Sequence, residues 1–281
     1  MQLSHTIKNV RTCKETDKAV RSLFGAAGWL TGKLALGGCI AVATHCCESE
    51  DDNMDSDKKT AIVTGGSRGL GRGIVQALLP RGLQVIALAK DTEGLTALAK
   101  ECAGVEPVVA DAADEFVAGR LLQERKPDLV VLCAGASALL RPLHYHSWET
   151  FSQNWEVDAK AGFVWLRNAL LLPMKPGSHI VIVSSMAAIN GSPLSGSYAG
   201  AKRMLWFIAD YALQEVNRLK LGIHIHCLLP TLNPNTDLGR AAVAAYAERT
   251  GISFEEFAKR LTPHFDPIGY GRCRGRALFE S

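Results

Sequence analysis

No stretch of this 281-residue sequence is apolar for long enough to cross a bilayer. The longest candidate, Leu34–Thr44 (LALGGCIAVAT), stops at Lys33, and a signal peptide there would need an n-region of about thirty residues. Residues 23–44 are therefore not expected to hold the chain on a membrane. Basic runs interleaved with aromatics are also missing. The 31 Lys and Arg mix with 28 Asp and Glu to a net charge of +3, which leaves nucleic-acid binding without support. None of the eight cysteines forms a C-x-x-C pair, and no Cys/His spacing matches a zinc site. A disulfide framework and a metal centre are thus not expected. Cys133 and Cys227 sit inside apolar runs as small hydrophobes, and the compartment this suggests is a reducing one, the cytoplasm. Internal repeats are absent beyond the rhythm described below.

What is present divides at Lys58. Residues 1–57 end in an acidic polar stretch, Glu48–Asp57 (ESEDDNMDSD), and read as an N-terminal extension and solvated linker, disordered or loosely attached and without a part in chemistry. Met54, just before Lys58 and Lys59, offers a second start. From Lys58 to the end, strand-like runs alternate with helical ones. The strands are expected at Thr60–Val63, Gln84–Ala89, Val105–Val109, Leu129–Leu132, His179–Ser184 and His224–Leu229. They are continuously apolar, as in parallel strands covered on both faces. Helical spacing fills the gaps, as in Gly71–Leu79, Glu93–Ala103 and Asp114–Arg125. The pattern implies an α/β fold, a Rossmann-like doubly wound parallel sheet forming a single domain over 58–281. The helices expected at 154–172 and 198–216 are apolar around most of their circumference. Such helices need cover on all sides, so a homo-oligomer through these two helices is expected.

Thr60–Gly73 (TAIVTGGSRGLGRG) runs from a strand through three glycines, Gly65, Gly69 and Gly71, into a helix. Glycines at such a turn admit φ > 0 and let backbone N–H groups at a helix N-terminus approach a pyrophosphate. The spacing T-G-x-x-x-G-x-G resembles the loop of the short-chain dehydrogenase/reductase family, and further matches follow in order to about Leu238. The resemblance implies that Thr64, Gly65, Ser67, Arg68, Gly69, Leu70 and Gly71 cradle a dinucleotide. It places Asp111 and Ala112 near the adenine ring, and Ala134-Gly135 at the end of the family's N-N-A-G motif. Pro230 and Thr236 (PTLNPNT) would lie over the nicotinamide.

Tyr198 and Lys202 stand four residues apart at the start of a helix, on one face, with Ser185 thirteen residues upstream. A tyrosine is a poor acid or base at neutral pH, and a nearby ammonium makes its phenolate easier to form. The resemblance gives these residues the family's Ser-Tyr-Lys roles: Ser185 hydrogen-bonds the substrate oxygen, Tyr198 exchanges its proton as hydride moves, and Lys202 also binds the nicotinamide ribose. The same strand end carries Ser184, one position short of the family's spacing. At the end of the second strand Ala89 stands where NAD-selecting chains carry an acidic residue. Lys90 follows it and Arg68 adds a second cation, so NADP(H) is expected rather than NAD(H). Asp91 would reach the ribose only with the register shifted by one.

The sequence departs from the family in four places. Asp158 (VDAKA) replaces an asparagine whose backbone supports a proton-relay water, and it is kept as a site residue through that backbone. Leu132-Cys133 replaces two asparagines, and Thr231 a glycine. Past Arg260 no seventh strand is evident, so six strands are expected, with a substrate lid at about 238–265. The expected protein is an NADP(H)-dependent carbonyl reductase or alcohol dehydrogenase acting on a small ketone, aldehyde or alcohol. A non-enzymatic or inactive NADP-binding protein of the same fold is the alternative. His144 and His146 flank Tyr145 in a loop and are read as surface residues.

Overall fold

The computed structural model describes residues 58–261, apart from Asn233 and Asn235. The expectations for 1–57, for the tail beyond 261 and for that part of the lid segment lie outside the described residues. Six strands form one parallel sheet in the order β3-β2-β1-β4-β5-β6. They are β1 Thr60–Thr64, β2 Gln84–Ala89, β3 Val105–Val109, β4 Leu129–Leu132, β5 His179–Val183 and β6 His224–Leu228. The strand order reverses between β1 and β4, which pair in parallel as Ala61 with Leu129 through Thr64 with Leu132. Pro107 sits in β3, which pairs only with β2, so its missing N–H costs the sheet no ladder bond on the open side.

Alternation along the strands sorts the core into two layers. Ala61, Val63, Val85 and Ala87 face α1 (Gly69–Leu78) and α2 (Thr92–Glu101). Ile62, Ile86, Val130, Ile180 and Ile182 face α3 (Glu115–Arg125), α5 (Lys160–Leu171) and α7 (Gly196–Leu219). Local chemistry fixes the helix starts. The Asp91 carboxylate caps α2 by accepting from Gly94 N–H, and Asp114 caps α3 through Phe116 N–H. Ser147 and Thr150 form a capping box at the start of α4 (Trp148–Asn154).

The single helix expected over 154–172 is three pieces: α4, a π turn at Trp155–Ala159, and α5. The wider turn interrupts the 3.6-residue period, so the apolar residues there do not share one continuous cylinder. The expected all-round burial is also divided. Trp165 and Leu205 are buried, while Phe163, Leu171, Phe207 and Tyr211 are exposed on the outer side of α5 and α7. After β6 come α8 (Asp237–Thr250) and α9 (Phe254–Leu261), in the segment expected to be the lid; a short α6 (Ala187–Asn190) follows β5. No helix among the described residues is long and apolar enough to cross a membrane.

Candidate active site

The predicted residues lie at or after the C-terminal ends of the strands, on the first turns of α7 and in the π turn. The turn after β1 is locked onto its neighbours: Gly65 and Gly66 N–H both donate to the Leu88 carbonyl, at 2.7 and 3.2 Å. Gly65 has φ +69°, and a Cβ there would fall 2.8 Å from Ala134 Cα. A Cβ on Gly71 would lie 2.1 Å from the Gly65 carbonyl oxygen, whereas Gly69, at φ +54°, faces open space. Close backbone packing beneath and room above describe a cradle for a dinucleotide pyrophosphate. Arg68 is the extended N-cap of α1 and leaves that helix without a side-chain cap, so its first N–H groups are free for an anion. Ser67 is buried and its carbonyl accepts from Arg72, while Leu70 is half-buried.

Thr64 stands at the junction with β4. Its hydroxyl oxygen accepts from Cys133 N–H at 3.0 Å and Ala134 N–H at 3.1 Å, and donates to the Val131 carbonyl. With Leu132-Cys133 in place of side-chain amides, this hydroxyl ties the two strand ends together. Beyond the end of β2, Lys90 Nζ lies 3.3 Å from Asp111 Oδ2, and both side chains are exposed. The Asp111 carboxyl is held below the usual carboxylate range by Ala113 N–H first, then by Lys90. Asp91, committed to capping α2, stands outside β2. Ala112 is buried, and its carbonyl accepts from Trp165 Nε1 at 3.0 Å.

Two adjacent serines follow β5 and differ in freedom. Ser184 is buried and donates to the Lys202 carbonyl at 2.7 Å. The Ser185 hydroxyl is half-buried and accepts from Ala187 N–H at 3.2 Å, so its proton remains available to a substrate oxygen. Met186 N–H donates to the Pro230 carbonyl, which holds the segment after β6 against the Ser185 loop. Thr236 caps α8 by accepting from Gly239 N–H.

Tyr198 and Lys202 project from the first turns of α7, with Lys202 Nζ 5.5 Å from the Tyr198 ring centre. Tyr198 is half-buried, while Lys202 is only 5% exposed. Its ammonium lies 3.1 Å from Asp158 Oδ2 and 3.3 Å from the Val183 carbonyl oxygen. Burial alone would push the Lys202 ammonium down. Asp158, and then Tyr198, outweigh that and leave it above the ordinary lysine range.

Asp158 lies within the π turn, the kind of helix irregularity that often marks a functional position. The sequence assigned it through its backbone, but here the carboxylate makes the contacts. Oδ1 accepts from Ala136 N–H at 2.7 Å, and a Cβ on Gly135 would sit 2.8 Å from Oδ2. Only glycine at 135 leaves space for that side chain.

Sequence reasoning passed over other contacts. Asn154 Nδ2 donates to the Ala136 carbonyl at 3.1 Å and steadies the same loop. Tyr246 of α8 stacks on Phe257 and also hydrogen-bonds Ser192 in the loop before Tyr198. His146 is half-buried against Phe151, with Nδ1 3.3 Å from Thr150 Oγ1, whereas His144 is exposed as expected. Helical spacing pointed to none of these: Asn154 and Tyr246 reach loops from helices α4 and α8, and His146 turns back onto the first turns of α4.

The family model described as short chain dehydrogenase matches residues 59–246. Human L-xylulose reductase is 31% identical over 191 residues, covering 65% of this chain and 75% of that protein. A pig carbonyl reductase whose name specifies NADPH is 28% identical over 190 residues, covering 66% and 75%. Among solved structures, sorbitol-6-phosphate 2-dehydrogenase from Erwinia amylovora superposes with a TM-score of 0.62 at 21% identity, over 73% of this chain and 82% of that one. A metagenomic short-chain oxidoreductase in complex with NADP gives a TM-score of 0.55 at 24% identity, over 66% and 90%. With a six-stranded sheet and a glycine cradle, this chain belongs to the short-chain dehydrogenase/reductase family of oxidoreductases.

Proposed function

We propose that the chain is an NADP(H)-dependent oxidoreductase that interconverts a small ketone or aldehyde and an alcohol, with Tyr198 as the acid/base. The observation that carries this reading is the Tyr198–Lys202 pair, a half-buried phenol beside a buried ammonium, at the same sheet end as the glycine cradle. The bound cofactor would supply or accept the hydride at the carbonyl carbon. Thr64, Gly65, Ser67, Arg68, Gly69, Leu70 and Gly71 would hold its pyrophosphate, with Asp111, Ala112, Ala134 and Gly135 along the adenine and ribose side. Pro230 and Thr236 would cover its nicotinamide end.

Ser185 donates its hydroxyl proton in a hydrogen bond to the carbonyl oxygen and so polarises it. Tyr198 passes its own proton to that oxygen as the alkoxide forms, and takes it back in alcohol oxidation. Lys202 supplies positive charge beside the phenol. NADP(H) rather than NAD(H) is favoured by Arg68, whose guanidinium makes no ion pair among the described residues, and by Lys90, whose exposed pairing with Asp111 is weak enough to give way to a phosphate. The NADPH in a relative's name agrees with this choice. Helices α8 and α9 serve as the lid over the substrate. Exposed Phe163, Leu171, Phe207 and Tyr211 support association of copies through α5 and α7.

The test is a carbonyl panel, including simple sugars with a keto group, assayed with NADPH and NADH in parallel. Oxidation of NADPH by wild type and its loss in Tyr198→Phe with retained cofactor binding is the expected result. Cofactor binding without turnover of any substrate would favour the non-enzymatic reading. Activity surviving in Tyr198→Phe would remove that residue from the chemistry.

A further inference from the structure

Lys202 is the group that acts on Tyr198, and the structure shows what acts on Lys202. Its ammonium is buried among five parts of the fold. The π turn brings the Asp158 carboxylate to 3.1 Å, and β5 brings the Val183 carbonyl to 3.3 Å. Helix α7 contributes Tyr198, the loop after β4 contributes Cys133, and β6 contributes Cys227. Burial pushes the Cys227 thiol up to about 12, so it stays neutral. Asp158 is therefore the acidic side chain that faces Lys202 among the described residues, and its own side chain is fully buried.

We infer that Asp158 is a positioning residue that anchors Lys202 and cancels most of the positive field it presents to Tyr198, so that Tyr198 is held in the form that donates a proton. The inference rests on the acid/base reading of Tyr198 given above. A buried ammonium beside a phenol favours the phenolate, whereas a buried ion pair of zero net charge does so far less. The pair also fixes the Lys202 side chain, since Asp158 is itself held at Oδ1 by Ala136 N–H. A phenol that keeps its proton extends to higher pH the range over which it can protonate an incoming alkoxide. Alcohol oxidation, which needs the phenolate, reaches its plateau correspondingly later.

Asp158→Asn tests this, because the amide oxygen can still accept from Ala136 N–H while the charge is lost. The full chain is labelled at the tyrosine Cζ with carbon-13, and the Tyr198 resonance is assigned by its absence in Tyr198→Phe. With the cofactor omitted, Tyr198 in Asp158→Asn is expected to titrate at least about one pH unit below wild type. Asp158→Ser removes the same charge with a smaller side chain and is expected to move the curve in the same direction. In any substrate turned over, the rising limb of the alcohol-oxidation pH profile moves to lower pH by the same amount. If the Tyr198 curves of wild type and both variants coincide, the cancellation is refuted. If the buried lysine sheds its proton on losing its counter-ion, the curve moves up and the inference is equally refuted. The resonance is read without turnover, so a shifted curve in a chain inactive on every substrate would sink the oxidoreductase reading while leaving the Asp158 assignment intact.

Discussion

Replacing the three glycines of α1 with alanine, one at a time, separates packing from ligand seating along a single helix. Gly73 has ordinary backbone angles and nothing within 4 Å of a new Cβ. Alanine there gains helix propensity, so the variant is expected to be more stable by up to ~1 kcal/mol. Gly69 also has open space, but its φ of +54° lies in the left-handed region. Alanine at 69 costs ~1–2 kcal/mol, and its methyl stands where the pyrophosphate would approach. Gly71 is different in kind. Its Cβ would meet the Gly65 carbonyl oxygen at 2.1 Å and the Gly65 carbonyl carbon at 2.8 Å, both backbone atoms of a turn held at φ +69°. No rotamer relieves that overlap, so after the helix gain is subtracted the loss is at least ~2 kcal/mol. Urea unfolding followed by circular dichroism orders the variants, and titration of NADPH fluorescence reads the cradle. The expected stability order is Gly73→Ala above wild type, then Gly69→Ala, then Gly71→Ala, with cofactor affinity lost at 69 and 71. A Gly71→Ala variant as stable as Gly73→Ala would refute the packing argument. Undiminished affinity in Gly69→Ala would refute the seat of the pyrophosphate.

Four further outcomes are expected. Lys90→Asp reverses the cofactor preference from NADPH to NADH, read as the ratio of kcat/KM values; an unchanged ratio would remove Lys90 from selection. Trp165→Phe strands the Ala112 carbonyl and leaves a void, lowering unfolding stability by ~2–4 kcal/mol in urea. Ser184→Ala frees a buried contact to the Lys202 carbonyl and lowers stability with modest loss of rate, whereas Ser185→Ala lowers kcat with stability unchanged; equal effects at both would show that the two serines are not divided in role. His179 is pushed from 6.5 to about 3, by burial first and then by His224, His226 and Lys59. Its neutral form is the one the fold accepts, so its contribution is complete above pH 6.5 and drains away as the pH falls toward 3. Acid unfolding of His179→Gln should therefore fall less steeply over that interval than wild type, and identical slopes would contradict the assignment.

The central strands were legible because parallel strands covered on both faces leave continuous apolar runs, as in β1, β2 and β4. Val105–Val109 was found despite Pro107, since an edge strand tolerates a missing donor. The Tyr198–Lys202 spacing was legible because the two are neighbours on one helix, a relation that counting residues reveals. The Asp158–Lys202 contact was not. It joins positions 44 residues apart through a π turn, and nothing in the local pattern around Val157-Asp158-Ala159 signals a change of helical pitch. The exposed outer side of α5 and α7 escaped for a related reason, since composition shows how apolar a helix is but not which of two faces meets the sheet. The Tyr246–Ser192 bond lay beyond reach because it joins helix α8 to a loop 54 residues away, and the core sets their approach from a distance.

The π turn at Trp155–Ala159 also acts as a phase-setter for everything after it. Each residue of an α-helix advances the chain by about 100° around its axis, so deleting one residue from this turn would restore ordinary pitch and rotate the whole of α5 by that angle. Trp165 would swing off the Ala112 carbonyl and Asn168 off Gly119, while Asp158 would be carried away from Lys202. One surplus residue thus keeps the charge beside Lys202 and the packing of a helix in step. A single-codon deletion here would be expected to abolish both together, where most single substitutions would touch only one.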